Sequence, residues 1–214
     1  MIGPEIPGNG RARMAERLYL IRHGRTAWNA EGRIQGWADV PLDDVGREQA
    51  RRLAERLRAR PPELILCSPL WRAYETARIL AAVWEVPIEV DERLKERGQG
   101  PFEGRTGVEV AALQQAWREM ERDPTAEIAG VEPRAAFAER VWAAMEAAMA
   151  RPERTLAVVA HGGTFSMFFR QWLGLPLDRP SPFRFDNASL TELALRDGRW
   201  IVVTLNDTCH LTDL

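Results

Sequence analysis

Two of the chain's three histidines occupy equivalent places in the sequence. His23 comes just after the apolar run 18–21, His161 comes just after the apolar run 156–160, and each precedes a glycine. Short apolar runs of this kind predict buried strands. Ligands of α/β proteins bind beyond the carboxyl ends of the strands, so we expect both imidazoles in one site. A neutral imidazole can donate a lone pair near neutral pH, which suits nucleophilic or acid–base chemistry.

Arginines at two positions could hold a phosphate group in that site. Arg22 is adjacent to His23, and Arg72 should lie one turn into a helix that begins at Ser68–Pro69, with the serine as its N-cap. Both guanidinium groups could bind phosphate oxygens in bidentate fashion. Helix N-termini after residue 67 and after His161 would add free backbone amides. Because nearby cations disfavour the imidazolium form, the same arginines would keep His23 neutral and able to attack phosphorus.

Proton transfer requires a further group. His161 could donate a hydrogen bond to the phosphoryl oxygens as their charge shifts in the transition state. Glu96, in the segment LKERGQGPFEG, is the best candidate for protonating the leaving alkoxide. A carboxyl group beside a bound dianion tends to keep its proton, and general acid catalysis contributes about 10²–10⁴ in rate.

These residues must be positioned by alternating strands and helices. The pattern predicts an α/β fold, a three-layer sandwich in which helices flank a mostly parallel central sheet, with a small inserted cap subdomain. The strand segments are 18–21, 64–67, 88–90 and 156–160, followed by a hairpin of 189–195 and 200–205 around Asp197-Gly198. The helical segments are 44–58 with Asp43 as its cap, 68–84, 107–121, 134–150 and 163–173.

The domain organisation follows from composition along the chain. The polar, proline- and glycine-rich segment 1–13 is expected to be a flexible leader, and 14–214 a single domain whose cap insertion spans about 92–133. The leader has no apolar signal core, so a cytoplasmic location is expected. Cys67 and Cys209 have no metal-binding spacing and are expected to be reduced core residues.

The charge balance limits the partners. A formal net charge of −2 argues against binding of nucleic acid or of an anionic membrane surface. The expected partner is a small phosphorylated metabolite, no cofactor or metal is expected, and the sequence leaves a homodimer open. His210 lies beyond the last predicted strand, where a structural contact near the site is the better interpretation.

Four motifs together resemble the histidine phosphatase superfamily, which includes cofactor-dependent phosphoglycerate mutases and related phosphatases. They are RHGxTxxN at 22–29, SPLxRAxxTA at 68–77, LxExxxGxxEG at 94–104 and the late His161-Gly162. The resemblance covers 18–211, and four motifs in the right order are specific where each alone would be weak.

This resemblance implies a role for each motif residue. It implies a phosphohistidine on His23 and Glu96 as proton donor. The implied phosphate pocket contains Arg22, Arg72 and His161, with Asn29 touching the phosphate and Gly162 offering a backbone amide. Asn29 could equally be a turn-forming residue.

Water or a bound acceptor alcohol could take the phosphoryl group from the histidine. The mutase relatives carry a longer insertion with tandem arginines, whereas the segment 105–133 here offers only Arg105, Arg118 and Arg122 among glutamates. The resemblance therefore favours a metal-independent phosphomonoesterase that acts through a phosphohistidine. A cofactor-dependent phosphoglycerate mutase is the alternative, and a non-catalytic phosphate-binding module is the third hypothesis.

Competing phosphatase and hydrolase chemistries lack their motifs. Only four residues separate Cys67 from Arg72, where a tyrosine phosphatase loop needs five. The chain has no DxD pair, no GxxxxGK[ST] loop and no GxSxG elbow. Two histidines without clustered carboxylates also make a poor metal site.

Overall fold

The computed structural model describes residues 14–111, 129–177 and 179–214. The expected leader 1–13 and the end of the predicted helix 107–121 lie outside these residues. The division into a domain and a cap therefore stays a prediction. No helix in the described part of the chain is long and apolar enough to cross a membrane.

A six-stranded sheet forms the centre of the fold. The strands are β1 Arg17–Arg22, β2 Leu64–Cys67, β3 Ile88–Val90, β4 Thr155–Ala160, β5 Leu190–Arg196 and β6 Arg199–Asp207. Their order in the sheet is β3-β2-β4-β1-β5-β6. Strands β1 to β4 are parallel, and β5 and β6 are antiparallel to their neighbours. This confirms the predicted mostly parallel sheet and its terminal hairpin.

Helices cover both faces of the sheet, which confirms the three-layer sandwich. On one face, Leu20 and Val158 pack with Phe137 and Phe165. On the other face, the alternate strand residue Ile21 packs with apolar residues of α2 and α3. Because both faces are buried, β1 and β4 are continuously apolar instead of alternating. The described helices are α1 Ala27–Ala30, α2 Asp44–Leu57, α3 Trp71–Trp84, α4 Gly107–Ala111, α5 Arg134–Met149 and α6 Gly162–Trp172.

The strand register explains why the two histidines meet. β1 and β4 are adjacent and parallel, with Arg22 paired to Ala160, so the next residue of each chain segment is a histidine. β2 lies on the other side of β4, with Cys67 paired to Val159. Ser68 therefore emerges at the same edge as His23 and His161.

The start of α3 differs from the prediction. The helix begins at Trp71 with Leu70 as a cap that makes no side-chain hydrogen bond, so Ser68 is not the N-cap. Arg72 is consequently the second residue of α3 instead of lying one turn into the helix. The physical reason is that Leu70 has an extended backbone, and the Ser68 oxygen accepts the N–H of Leu70 instead of an N–H of the first helical turn.

The glycine of the RHG motif is required by a close backbone contact. A Cβ atom on Gly24 would lie 2.4 Å from the Gly46 carbonyl oxygen, and one on Gly46 would lie 2.0 Å from the Arg25 oxygen. Asp43 caps α2 as predicted, since its side chain accepts the Gly46 N–H at 2.7 Å. The loop after β1 thus lies directly on the first turn of α2, which fixes the backbone beside His23.

The two cysteines have different environments. Cys67 is buried, and burial raises the pKa of its thiol to about 12, so it is an unreactive core residue as predicted. Cys209 is exposed, so its prediction as a core residue is wrong. It lies in the short 3₁₀ turn Cys209–Leu211, which follows the edge strand β6 instead of lying within the sheet.

Candidate active site

His23 is held in one orientation by backbone groups. Its backbone N–H donates to the Ala160 backbone oxygen at 3.0 Å, which connects His23 to β4. Its ring Nδ1 lies 2.7 Å from the Gly24 oxygen. A carbonyl oxygen can only accept, so Nδ1 carries the proton and Nε2 carries the lone pair. The side chain is buried, and Nε2 is the ring atom that is free to act as a nucleophile.

A second backbone segment supports the same loop. Ala188 donates its N–H to the His23 oxygen at 3.1 Å, and Asn187 Nδ2 donates to the same oxygen at 3.1 Å. His210 Nε2 lies 3.0 Å from the Ala188 oxygen. His210 is thus a structural contact behind the site, as expected. Sequence reasoning missed Asn187, whose only signal is a polar residue just before β5.

His161 lies beside His23, with the ring centroids 5.2 Å apart and the planes tilted by 59°. Its Nε2 lies 2.8 Å from Ser68 Oγ, and that oxygen also accepts the Leu70 N–H at 3.3 Å. This arrangement favours a Ser68 hydroxyl that donates to Nε2, which places the ring proton on Nδ1. Within the described residues Nδ1 has no hydrogen-bond partner, so it is a buried donor that a bound oxyanion would satisfy.

The two arginines are anchored by backbone carbonyls. Arg72 is 1% exposed and donates to the Ala38 and Gly36 oxygens, each at 2.8 Å. Arg22 donates to the Phe185 oxygen at 2.5 Å. In both side chains Nε is buried without a partner in the described part of the chain. These fixed, incompletely bonded cations suit an anionic ligand.

Burial and the two cations decide the charge state of the histidines. Burial lowers the pKa of His23 well below its usual range, and Arg72 and then Arg22 lower that pKa further. The pKa of His161 is lowered well below its usual range by burial, then by Arg72 and His23. Burial lowers the pKa of Arg72 to about 10, so its guanidinium stays charged. At neutral pH the site therefore holds two neutral imidazoles beside two cations.

The Glu96 carboxyl group is hydrogen-bonded to the N-terminus of α6. Its Oε2 accepts the Gly163 N–H at 2.9 Å, and its Oε1 accepts the Arg97 N–H at 2.9 Å. A Cβ atom on Gly163 would lie 2.2 Å from Oε1, so the carboxyl group fits there because residue 163 is a glycine. Sequence reasoning named Gly162 but missed Gly163, because both read as one glycine pair.

One pocket of about 290 Å³ collects most of the predicted site residues. Five of them line it directly, His161 is in ring contact with His23, and Gly162 begins α6 beside the Arg22 side chain. The lining residues are Arg22, His23, Asn29, Arg33, Ile34, Gln35, Gly36, Arg72, Glu96, Gln99 and Gly163.

Asn29 has the turn-forming role considered from the sequence, and it also lines the pocket. Its Oδ1 accepts the Thr26 N–H at 3.1 Å, and its own N–H bonds to Thr26 Oγ1, which forms a capping box for α1. The same Oδ1 accepts from Asn187 at 3.1 Å. Because the oxygen is occupied and the residue lines the pocket, its amide NH₂ is the group that a phosphate would use.

A second concavity, of about 350 Å³, opens beside β3 and contains none of the predicted site residues. Its acidic side chains are engaged locally, Glu89 with Arg151 at 3.0 Å and Asp91 with Arg93 at 2.7 Å. Among the described residues, no three His, Cys, Asp or Glu side chains are grouped so that they could hold a metal ion. The pocket at His23 is therefore the candidate active site.

Comparison with protein-family models matches residues 18–208 to the histidine phosphatase superfamily, branch 1. The chain belongs to the histidine phosphatase superfamily. A sequence relative of this superfamily member is a probable phosphoglycerate mutase GpmB of Proteus mirabilis (strain HI4320). It is 32% identical over 206 residues, which are 92% of this chain and 96% of that protein.

Solved structures of this superfamily share the fold over most of their length. YhfR of Bacillus stearothermophilus has 34% identity and a TM-score of 0.83, covering 92% of this chain and all of that chain. A mycobacterial glucosyl-3-phosphoglycerate phosphatase in complex with VO3 has 36% identity and a TM-score of 0.76, covering 90% of this chain and 99% of that chain. A putative alpha-ribazole-5'-P phosphatase of Escherichia coli K-12 has 29% identity and a TM-score of 0.79, covering 91% of this chain and 97% of that chain.

Proposed function

We propose that this protein is a phosphomonoesterase that forms a phosphohistidine on His23. The observation that carries the proposal is a neutral, oriented imidazole whose Nε2 lone pair lies in a pocket with two guanidinium groups. Nε2 attacks phosphorus, an N–P bond forms and the ester P–O bond breaks. Water then attacks the phosphohistidine, releases inorganic phosphate and regenerates the imidazole.

The surrounding residues have complementary roles in this proposal. Arg22 and Arg72 bind the phosphate oxygens, and His161 donates from Nδ1 to an oxygen whose charge rises in the transition state. The Asn29 amide and the Gly162 N–H add neutral donors. Because fixed cations already balance the phosphate charge, we propose that the reaction needs no metal or cofactor.

Glu96 is proposed to move the proton in both steps. A phosphate dianion beside its carboxyl group favours the neutral acid, which protonates the leaving alkoxide. The resulting carboxylate then accepts a proton from the attacking water, so that the acid is restored at the end of the cycle. Its position at the pocket wall, bonded to the Gly163 N–H, supports this role.

Small phosphorylated metabolites are the proposed substrates. Two of the structural neighbours described above are named phosphatases of such compounds, at 36% and 29% identity. The net charge of −2 argues against binding of nucleic acid or of anionic membranes. A cytoplasmic location stays a prediction, and so does the open possibility of a homodimer.

A phosphoglycerate mutase is the second candidate, favoured by the names of the sequence relatives. One experiment separates the candidates: incubate the protein with p-nitrophenyl phosphate and, separately, with 3-phosphoglycerate. Phosphate release without isomerisation supports the phosphatase. Formation of 2-phosphoglycerate supports the mutase and overturns the proposal. Inertness towards both substrates and a wider panel of phosphomonoesters supports a binding module.

A further inference from the structure

The proposed proton donor lies in a segment with little regular structure. Glu96 sits between the short 3₁₀ turns Glu92–Leu94 and Gly100–Phe102, outside any strand or α-helix. A loop of this kind has many accessible conformations, and its ordering must be stabilised by specific contacts. Catalysis needs the carboxyl group within hydrogen-bond reach of the leaving oxygen. What holds this segment in place therefore bears on activity.

One side chain from α5 binds three backbone carbonyls of that segment. Arg140 Nη1 donates to the Arg93 oxygen at 2.8 Å and to the Lys95 oxygen at 2.7 Å. Its Nη2 donates to the oxygen of Glu96 itself at 2.9 Å. Arg140 thus reaches the backbone of the proposed acid, from a residue 44 positions away in the chain.

Glu132 completes the arrangement on the other side of the guanidinium. Its two carboxylate oxygens accept from Arg140 Nε at 2.5 Å and Nη2 at 2.7 Å. Its Oε2 also accepts the Gly98 N–H at 3.1 Å, and its backbone N–H donates to the Gly98 oxygen at 2.9 Å. Both side chains are largely buried, at 19% and 10% exposure. A bidentate pair in such a setting is geometrically well defined.

Arg140 is also in contact with the buried core. The Arg140 guanidinium carbon lies 4.8 Å from the ring centre of Phe137, one turn earlier on α5, and Phe137 belongs to the buried core. All five N–H donors of the guanidinium are used, two on Glu132 and three on the loop. A lysine has three donors and no planar fork, so it cannot reproduce this set of bonds.

We propose that Arg140, oriented by Glu132, is a positioning residue that places the Glu96 carboxyl group for proton transfer. This inference rests on the proposed phosphomonoesterase function. Loss of the Arg140 bonds would let the loop move and would remove acid assistance, while His23 and the two phosphate-binding arginines stay in place. The defect should therefore depend on how much help the leaving group needs.

The test compares two substrates that differ in this need. p-Nitrophenolate leaves without much protonation, whereas the alkoxide of glycerol phosphate requires it. In Arg140→Met we expect kcat/KM for glycerol phosphate to fall at least about tenfold more than for p-nitrophenyl phosphate, within the 10²–10⁴ available from general acid catalysis. For Arg140→Lys, the extra loss of kcat/KM on glycerol phosphate should lie between that of Arg140→Met and that of the wild type. The ratio of the two values does not depend on the fraction of folded enzyme.

Two controls make the result specific. Arg151→Met makes the same change at an arginine that bonds Glu89 and Glu153 away from the pocket, and it should leave the ratio unchanged. The double variant Glu96→Gln/Arg140→Met should have the same ratio of kcat/KM for glycerol phosphate to that for p-nitrophenyl phosphate as Glu96→Gln alone. The reason is that both changes remove the same function, acid assistance by Glu96. Equal losses on both substrates in an active enzyme would overturn the positioning role alone. A wild-type enzyme inert on both would overturn the proposed function first.

Discussion

The Glu96 carboxyl group rests on the first turn of α6, with its Oε2 2.9 Å from the Gly163 nitrogen. The contact is so close that a Cβ atom on Gly163 would lie 2.2 Å from the other carboxylate oxygen. This fixes the proposed acid relative to His161, which immediately precedes α6. The proposed acid and the phosphate pocket are thus coupled through one helix N-terminus.

Gly163→Ala should displace Glu96 without touching the nucleophile. We expect at least a tenfold larger loss of kcat/KM for glycerol phosphate than for p-nitrophenyl phosphate, because only the first needs acid assistance. Gly107→Ala is the matched control, since no other atom of the described residues lies within 4 Å of a Cβ built there. Unchanged activity of Gly163→Ala on glycerol phosphate would contradict the acid role of Glu96.

His23→Ala should abolish turnover while the fold is retained. Nε2 of this imidazole is the proposed site of phosphorylation, so the variant should also lose the acid-labile phosphoenzyme. The measurement is rapid quenching with a labelled phosphomonoester, followed by counting of protein-bound phosphate. Glu96→Gln should still be labelled with p-nitrophenyl phosphate, and labelling of His23→Ala would place the intermediate on another residue.

Ser68→Ala should lower kcat by about two- to tenfold. The hydroxyl is 2.8 Å from His161 Nε2, and its loss removes the bond that places the proton on Nδ1, a contribution of about 0.5–1.5 kcal/mol. Steady-state kinetics on p-nitrophenyl phosphate measure the effect. Ser166→Ala removes a hydroxyl bonded to Ser181 and should have no such effect, so equal losses in both variants would argue against the role of Ser68.

The buried neutral histidines predict the pH dependence of activity. Because the pKa of His23 is held well below its usual range, kcat/KM should not decline as the pH falls from 7.5 through about 6.5, the ordinary histidine pKa. The acid limb should appear only at lower pH. A pH–rate profile in constant ionic strength checks this, and an acid limb centred at 6.5 would mean that the nucleophile is not shielded as described.

The same histidines predict how stability depends on pH. Burial lowers the pKa of His210 to about 4, and those of His23 and His161 well below their usual range. Below about pH 6.5 the unfolded chain therefore binds more protons than the native protein. Stability falls by up to about 1.4 kcal/mol per pH unit for each of the buried histidines His23 and His161, and by less for the partly exposed His210, because solvent screens its charge. Urea unfolding between pH 7.5 and 5 should show this slope, and His210→Gln should reduce the slope by less than one proton.

Vanadate should inhibit competitively and EDTA should have no effect. Vanadate can adopt the trigonal-bipyramidal geometry of phosphoryl transfer, and the two guanidinium groups would stabilise its charge. Initial rates on p-nitrophenyl phosphate with and without each compound provide the measurement. Loss of activity in EDTA that is restored by a divalent cation would contradict the proposed metal-independent reaction.

The sequence by itself predicted the sheet, the helices and most of the site. Continuous apolar runs indicate strands that are buried on both faces, and histidines just beyond the ends of two such runs are expected at the same edge of a parallel sheet. That local pattern sufficed to bring His23, His161 and Arg22 together. The same reasoning from the residues named Arg72 and Glu96, and the motif resemblance added Asn29 and Gly162. The structure places Arg72, Glu96 and Asn29 around the same pocket.

Only the tertiary structure decided how these groups are supported. Three hydrogen bonds show this. Ser68 bonds to His161, 93 positions away, and Glu96 accepts the Gly163 N–H, 67 positions away. Arg140 bonds to the Glu96 backbone, 44 positions away. Local periodicity reports whether a side chain faces the core, and it carries no information about which distant partner a polar group will meet. The exposure of Cys209, in the turn that follows the edge strand β6, was likewise decided only by the tertiary structure.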